Sequence, residues 1–320
     1  MNRFSTFVVV VLALVLLVLA GPKIQIDDAW SEVSIPSEID AWLSASELAV
    51  PKLRPALQKQ VLWADSSHQT TEYAVVYLHG FSSSRMETAP FSDSVAAALG
   101  ANLFYTRLRG HGQDDEAFGT SKAQEWIQDT VEAIRVGEAI GEKVILIGTS
   151  TGATLAAWAA MEPELSDHLE AMVWVSPNFG PKDARSDMML WPWGRTILRT
   201  IVGDTYSWTP QNELHAASGT QSYSTDVILE MIGLVDLVQH KDFGTLNIPV
   251  LMVYSPGDQV VEQNHSLVNY EALGSSVKDS VRVLRATDKG NHVILGDALG
   301  AENTVPVARR VVEFVRSLER

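Results

Sequence analysis

The residues best equipped for chemistry are Gly148-Thr149-Ser150-Thr151-Gly152, set between the apolar run Val144–Ile147 and a stretch with alanine at 156, 157, 159 and 160. A serine hydroxyl is a poor nucleophile until something lifts it clear of the chain and accepts its proton. Glycines two positions before and two after the serine permit a tight turn from strand to helix, where side chains would collide. The same turn sets Ser150 at a helix N-terminus, whose dipole favours developing negative charge. A serine that only caps a helix is the plainer reading. The strand before it and the helix after it argue for the nucleophile.

A nucleophile of this kind needs a base, an acid that orients the base, and donors for an oxyanion. Lys289-Gly290-Asn291-His292 follows an apolar run, and His292 is the last of eight histidines. It is the expected base, taking the Ser150 proton and returning it to the leaving group. His265 lies within a helical pattern and reads as a surface residue. Ser255-Pro256-Gly257-Asp258 follows Pro249–Tyr254. Alone it is an ordinary turn. Its place between Ser150 and His292 gives the chain order Ser, Asp, His and makes Asp258 the expected orienting acid. His79-Gly80-Phe81-Ser82 follows Tyr73–Leu78, and the backbone N–H groups of Phe81 and Thr151 are the expected oxyanion donors. His79 is expected to brace that loop. Arg107-Leu108-Arg109-Gly110-His111-Gly112 is expected to be structural, lining the floor of the site. No His/acid spacing suited to a metal and no dinucleotide fingerprint is present, so no cofactor is expected.

Such residues must be held by strands that end where the chemistry happens. Strands are expected at Gln58–Trp63, Tyr73–Leu78, Asn102–Thr106, Val144–Ile147, Ala171–Val175, Pro249–Tyr254 and Val281–Leu284. Helices are expected at Phe91–Leu99, Lys122–Ile140, Thr151–Met161, Val261–Leu273 and Val305–Leu318. Continuous apolar strands alternating with helices predict an α/β fold with a mostly parallel sheet covered on both faces. Ligands of such sheets bind beyond the carboxyl ends of the strands, where the motifs stand. The rhythm breaks over about 178–247, which carries Trp191, Trp193, Trp208, Met188, Met189 and Met231, a helical patch at Thr225–Gln239, and no convincing strand. It reads as a helical cap. Its apolar residues either line a ligand cavity or hold the cap's own core.

The chain has 24 Lys+Arg against 39 Asp+Glu, a formal net charge of −15, which disfavours nucleic acid as a partner. Hydrophobic residues at 46% and charged residues at 20% suit a globular enzyme, and the absence of Cys excludes disulfides and thiol catalysis. Arg3 followed by the apolar run Phe7–Ala20 reads as an export signal or an uncleaved membrane anchor spanning about 1–20, which would place the protein at the cell envelope. Residues 21–56 read as a tether and extension. Within it Ser37 is the expected cap of a helix through Leu48, with Glu38, Asp40 and Glu47 on its outer face. The catalytic domain is expected over 57–320.

The motifs His79-Gly80-Phe81, Arg109-Gly110-His111-Gly112, Gly148 to Gly152, Gly257-Asp258 and Gly290-Asn291-His292 together resemble those of bacterial carboxylesterases. They are similar also to monoacylglycerol-lipase-like α/β hydrolases, sometimes grouped with serine aminopeptidases. The resemblance runs from about Leu57 to the C-terminus, with Thr151 standing where a bulkier residue is commoner. It implies an ester hydrolase with a short cap, a small-molecule or lipid-like ester as substrate, the triad Ser150, His292 and Asp258, and an oxyanion hole from Phe81 and Thr151. A peptidase or amidase is the competing reading and needs an acidic pocket for a substrate amine, for which Glu213, Asp226, Glu230 and Asp236 are the candidates. A non-catalytic binding protein is the other, and it would normally lack a triad member.

Overall fold

The computed structural model describes residues 3–319. Among the described residues there are nine strands: β1 (Gln60–Leu62), β2 (Thr71–Leu78), β3 (Asn102–Tyr105), β4 (Gly141–Thr149), β5 (Leu169–Val175), β6 (Thr205–Ser207), β7 (Ser222–Ser224), β8 (Val250–Tyr254) and β9 (Lys278–Arg282). Seven of them form one sheet in the order β1-β3-β2-β4-β5-β8-β9. Only β1 runs antiparallel to its neighbour; the other pairings are parallel.

The sheet is covered on both faces because its central strands are apolar at consecutive positions. Along β2, Ala74, Val76 and Leu78 enter one core with the helices Ala123–Ile140, Thr151–Ala160 and Asp226–Gln239. Tyr73, Val75 and Tyr77 enter the opposite core with the helices Phe91–Leu99 and Ala301–Ser317. Alternate side chains of a strand point to opposite faces, so each face receives half of the run. Trp126, Trp158 and Trp174 are fully buried in the first core. The indole nitrogen of Trp126 is satisfied by donating to Arg109 O at 3.1 Å.

The segment expected as the cap, residues 178–247 between β5 and β8, contains the helices Gly194–Ile201, Glu213–Ser218 and Asp226–Gln239. It also contains a strand pair, β6 with β7, where no strand was expected. Each of these strands has three residues, and all of β6 is exposed, so neither carries an apolar run. The seventh strand of the main sheet lies at 278–282, not 281–284. It is an edge strand with Lys278, Asp279 and Ser280 in its first half, and hydropathy alone drew the expectation toward Val281. The C-terminal helix likewise begins at Ala301, four residues before the expected start.

The N-terminal extension is packed, not loose. Ile39 and Leu43 are buried in the first core, and Ile26, Trp30, Val33 and Ile35 pack against it. Ser31 and Gln128 exchange two hydrogen bonds, and Glu32 pairs with Arg135 at 2.7 Å. The helix Ile39–Leu48 starts after Glu38, and no side chain caps it, so Ser37 does not have the expected role. Glu47 faces inward, contrary to expectation. Its carboxylate receives Arg107 Nε at 2.8 Å and Nη2 at 2.7 Å, and the backbone N–H of Lys59 at 2.9 Å, all buried. Burial pushes the Glu47 carboxyl up, but the Arg107 guanidinium outweighs it and the net direction is down. The helix Arg3–Leu19 precedes the extension. Among the described residues no helix is long and apolar enough to cross a membrane.

Removing one partner of the buried Glu47–Arg107 pair leaves a charge without its counterion. Glu47→Ala is expected to destabilise the protein by about 3–5 kcal/mol, read as a lower urea midpoint at unchanged m-value. A variant as stable as the native chain would show that the pair contributes nothing net.

Candidate active site

β4 ends at Thr149 and the helix Thr151–Ala160 begins two residues later, leaving Ser150 alone at the turn. Ser150 takes φ 53° and ψ −116°, a region that non-glycine residues rarely occupy. The flanking glycines are required by contact. A Cβ on Gly152 would stand 2.1 Å from Leu78 O, and one on Gly148 would stand 2.5 Å from Gly152 O. The turn is held from behind by Ser150 N–H donating to Val175 O at 2.9 Å.

The structure brings Ser150, His292 and Asp258 together. Ser150 Oγ lies 2.9 Å from His292 Nε2, and His292 Nδ1 lies 2.8 Å from Asp258 Oδ2. Because Nδ1 faces a carboxylate it carries the ring hydrogen, which leaves Nε2 of the neutral ring as the acceptor for the serine hydroxyl. Asp258 is itself fixed: Oδ1 accepts the N–H groups of Val260 at 2.7 Å and Val261 at 3.0 Å, and Gln263 Nε2 donates to Oδ2 at 3.3 Å. Burial pulls the His292 pKa down, but Asp258, Asp288 and Glu87 outweigh it and leave it above the usual imidazole value.

Phe81 lines the cavity beside Ser150, and Thr151 is the first residue of the helix behind it. Among the described residues neither backbone N–H donates to another backbone carbonyl. The loop around Phe81 is held by the two histidines expected to be structural. His79 Nε2 accepts Leu108 N–H at 3.1 Å, and His111 Nε2 accepts Ser82 N–H at 3.2 Å. Burial holds His79 down at about 4 and His111 well below the ordinary value, so both are neutral and able to accept. The segment from Arg107 to Gly112 therefore supports the loop and supplies no base. His265 is exposed, as expected.

Three groups gave no sequence signal that singled them out. Asp288 Oδ2 accepts the N–H groups of His292 at 2.7 Å and Val293 at 2.9 Å, and Oδ1 accepts Gly290 N–H at 3.0 Å. Burial alone would raise it, but these backbone donors hold it below the usual carboxylate range. Gln211 reaches from the cap to the same loop, donating to Asp288 Oδ1 at 2.5 Å and accepting Lys289 N–H at 3.1 Å. Glu87 is buried beneath Gly80. An acid four residues before the expected base was the one available clue to Asp288.

Ser150 opens into a cavity of about 560 Å³ beneath the cap. Met189, Leu198, Ile228, Met231 and Ile232 form its apolar wall, with Tyr206, Trp208 and Tyr223 beside them. A second depression, of about 630 Å³, lies between the helix Ile39–Leu48 and β1, and neither Ser150 nor His292 lines it. The four carboxylates expected for an amine pocket do not line the catalytic cavity. Glu230 binds Lys122 at 2.9 Å, Asp226 binds Arg195 and Arg199 at 3.1 Å each, Asp236 lies 3.5 Å from His240, and Glu213 is exposed. Among the described residues no cluster of three or more His, Asp or Glu suits a metal.

The family model for serine aminopeptidase, S33, matches residues 69–298, from β2 through the loop carrying His292. The chain belongs to this family of α/β hydrolases. No curated protein matches it in sequence. Solved structures are similar in fold. A metagenome-derived lipolytic enzyme has 17% identity and a TM-score of 0.67, covering 83% of this chain and 99% of that one. The monoacylglycerol lipase of Paleococcus ferrophilus has 15% identity and a TM-score of 0.59, covering 82% and 99%. A soluble variant of the monoglyceride lipase of Saccharomyces cerevisiae, in complex with a substrate analogue, has 11% identity and a TM-score of 0.61, covering 82% and 91%. At these identities the likeness shows the fold.

The contact at Gly152 makes a sharp prediction. Gly152→Ala drives a Cβ into Leu78 O, so the turn must open and Ser150 must leave His292. The variant is expected to lose labelling by a fluorophosphonate and to melt at lower temperature; native labelling would show that the turn tolerates a side chain.

Proposed function

We propose that this member of the family is a carboxylic-ester hydrolase that acts on esters with an apolar acyl or alcohol group. The observation that carries the proposal is the hydrogen-bonded series Ser150, His292, Asp258 standing at one end of an apolar cavity. His292 takes the hydroxyl proton as Ser150 Oγ attacks the ester carbon, and the imidazolium so formed is stabilised by Asp258. The N–H groups of Phe81 and Thr151 receive the oxyanion. On collapse the His292 proton passes to the departing alcohol, leaving an acyl-serine. Water then attacks that acyl carbon, giving its proton to His292, and the acid is released as Ser150 is re-formed. Lipases among the structural neighbours support an ester substrate. So does the cavity, whose carboxylates are all engaged within the protein: Asp183 with Arg185 at 2.5 Å, and Asp288 and Glu87 with backbone N–H groups. On the apolar run Phe7–Ala20 we further place the enzyme at the cell envelope, exported or anchored. Fractionation of cells expressing the full chain tests this, and a wholly cytosolic enzyme would refute it.

Hydrolysis of p-nitrophenyl esters of increasing chain length, set beside an aminoacyl p-nitroanilide, tests the function. Turnover of the esters is expected to exceed that of the anilide, and the reverse order would favour the peptidase. Ser150→Ala should lower kcat by about 10⁴-fold or more, and Asp258→Asn by about 10³–10⁴-fold, with folding retained in both. An Asp258→Asn variant with near-native kcat would move the orienting role to another carboxylate.

The pH profile follows from the direction of the His292 shift. Only the neutral ring accepts the serine proton, so kcat/KM is full above the His292 pKa and falls as pH drops through it. The apparent midpoint is expected above about 6.5, the ordinary imidazole value. A midpoint below that value would mean that burial outweighs the three carboxylates.

A further inference from the structure

The backbone donors on either side of Phe81 are both tied back by side chains. Gly80 N–H donates to Glu87 Oε1 at 2.6 Å, and Ser82 N–H donates to His111 Nε2 at 3.2 Å. Phe81 N–H lies between them. Ser82 itself sits at φ 57°, so the chain reverses sharply just after Phe81 and cannot relax freely. Of the two tethers, the carboxylate makes the shorter bond, and a charged acceptor makes the stronger one.

Glu87 is placed to do more than hold a loop. Its side chain is buried, and Tyr77 OH lies 2.8 Å from the same Oε1. The carboxyl faces the catalytic cavity. A Cβ built on Gly80 would lie 3.0 Å from Glu87 Oε2 and 3.3 Å from Ser150 Cβ, so nucleophile and carboxyl flank one glycine. We propose that Glu87 is a positioning residue for the ester-hydrolase reaction: its carboxyl oxygen fixes Gly80, and through it the oxyanion donor of Phe81, while its charge adds to that of Asp258 and Asp288 around His292. This rests on the ester-hydrolase reading above. It assigns Glu87 a role that neither the nucleophile turn nor the Ser-Asp-His order contains.

Two consequences separate holding from charging. The hydrogen bond to Gly80 needs only an acceptor oxygen, which a carboxylate, a carboxylic acid and an amide all supply. The effect on His292 needs the negative charge. Burial pushes Glu87 up to about 7, against the bonds from Gly80, Tyr77 and Ser83 and the attraction of His292, which lower it. His292 is shifted up in turn by the carboxylates around it, Glu87 among them, so the two titrations are coupled and the acid limb of activity belongs to the pair. The groups facing the Glu87 carboxyl are Tyr77 from β2, with Thr149 from β4 and Thr88 bonded to the Tyr77 hydroxyl, Ser83 from its own loop, and His292. Those acting on His292 are Asp258, Asp288 and Glu87.

The test compares the native chain, Glu87→Ala and Glu87→Gln on p-nitrophenyl butyrate across the pH range, with folding followed by circular dichroism and Ser150 followed by fluorophosphonate labelling. Glu87→Ala is expected to lower kcat by about 10-fold to 100-fold, less than the loss of a whole oxyanion donor, with KM little changed. Glu87→Gln should restore most of kcat and move the acid limb to lower pH by roughly half a unit or more, since a negative neighbour has been removed. Tyr77→Phe, which takes one hydrogen bond from the Glu87 carboxylate and so favours its neutral form, should move the acid limb the same way and decides the question should the Glu87 variants not fold. Folded Glu87→Ala with native kcat, Glu87→Gln no better than Glu87→Ala, or an acid limb unmoved in Glu87→Gln or in Tyr77→Phe overturns the assignment. A native protein that neither hydrolyses the ester nor takes up the fluorophosphonate refutes the hydrolase reading itself, and is thereby told apart from a failure of Glu87 alone.

Discussion

The rest of the structure depends on a single strained residue, Ser150, at the junction of β4 and its helix. A serine at φ 53° costs of order 1–3 kcal/mol and persists only where its surroundings over-determine it. Here they do. β4 is paired on both sides, with β2 and with β5, and the helix Thr151–Ala160 is buried along its whole length. Leu78 O and Gly152 O close on the turn so tightly that no Cβ fits at Gly152 or Gly148. The sheet's central position and the helix's burial are thus what keep a hydroxyl aimed at His292.

The other two members of the series reach Ser150 from loops, and loops need a different kind of support. A strand end fixes where a loop begins; it does not fix where a side chain in the loop points. Asp258 and His292 are fixed instead by backbone N–H groups gathered on carboxylates, at Asp258 Oδ1 for one loop and at both oxygens of Asp288 for the other. Ser176, just past β5, adds a bond from its hydroxyl to His292 O at 2.7 Å. Gln211 extends this network into the cap, so the roof of the cavity and the loop carrying the base share a polar contact.

What could be read from the sequence divides along the same line. Ser150, Asp258 and His292 were legible because their chemistry leaves local marks: small residues around a tight turn, a turn after a late strand, and a fixed chain order. The central strands were legible because burial on both faces demands unbroken apolar runs. The edge strand β9 is poorly marked because a half-exposed strand tolerates Lys278 and Asp279, and β6 and β7 leave no mark because three-residue strands have no period. Glu47 reads as outward because an acid on a short helix usually faces water; its partner Arg107 lies sixty residues away, and nothing local announces it. Glu87 and Asp288 leave no local mark for the same reason: what singles out Asp288 is three backbone N–H groups, and Glu87 the Gly80 N–H and the Tyr77 hydroxyl, that converge on it.

Three carboxylates around one imidazole pose an electrostatic problem. In the proposed reaction, negative charge near His292 stabilises the imidazolium that forms as Ser150 attacks, yet the same attack creates an oxyanion that negative charge opposes. The structure separates the two demands by direction. Asp258 turns one oxygen to Nδ1, on the side of the ring away from Ser150. Asp288 commits both oxygens to backbone donors and acts on His292 from the base of its loop. Glu87, the carboxyl that shares Gly80 with the nucleophile, is the one that burial pushes up to about 7. It gives one oxygen to Gly80 N–H. A carboxyl that close to the nucleophile favours the imidazolium when charged and opposes an oxyanion least when it holds a proton, and a value of about 7 leaves both forms within reach.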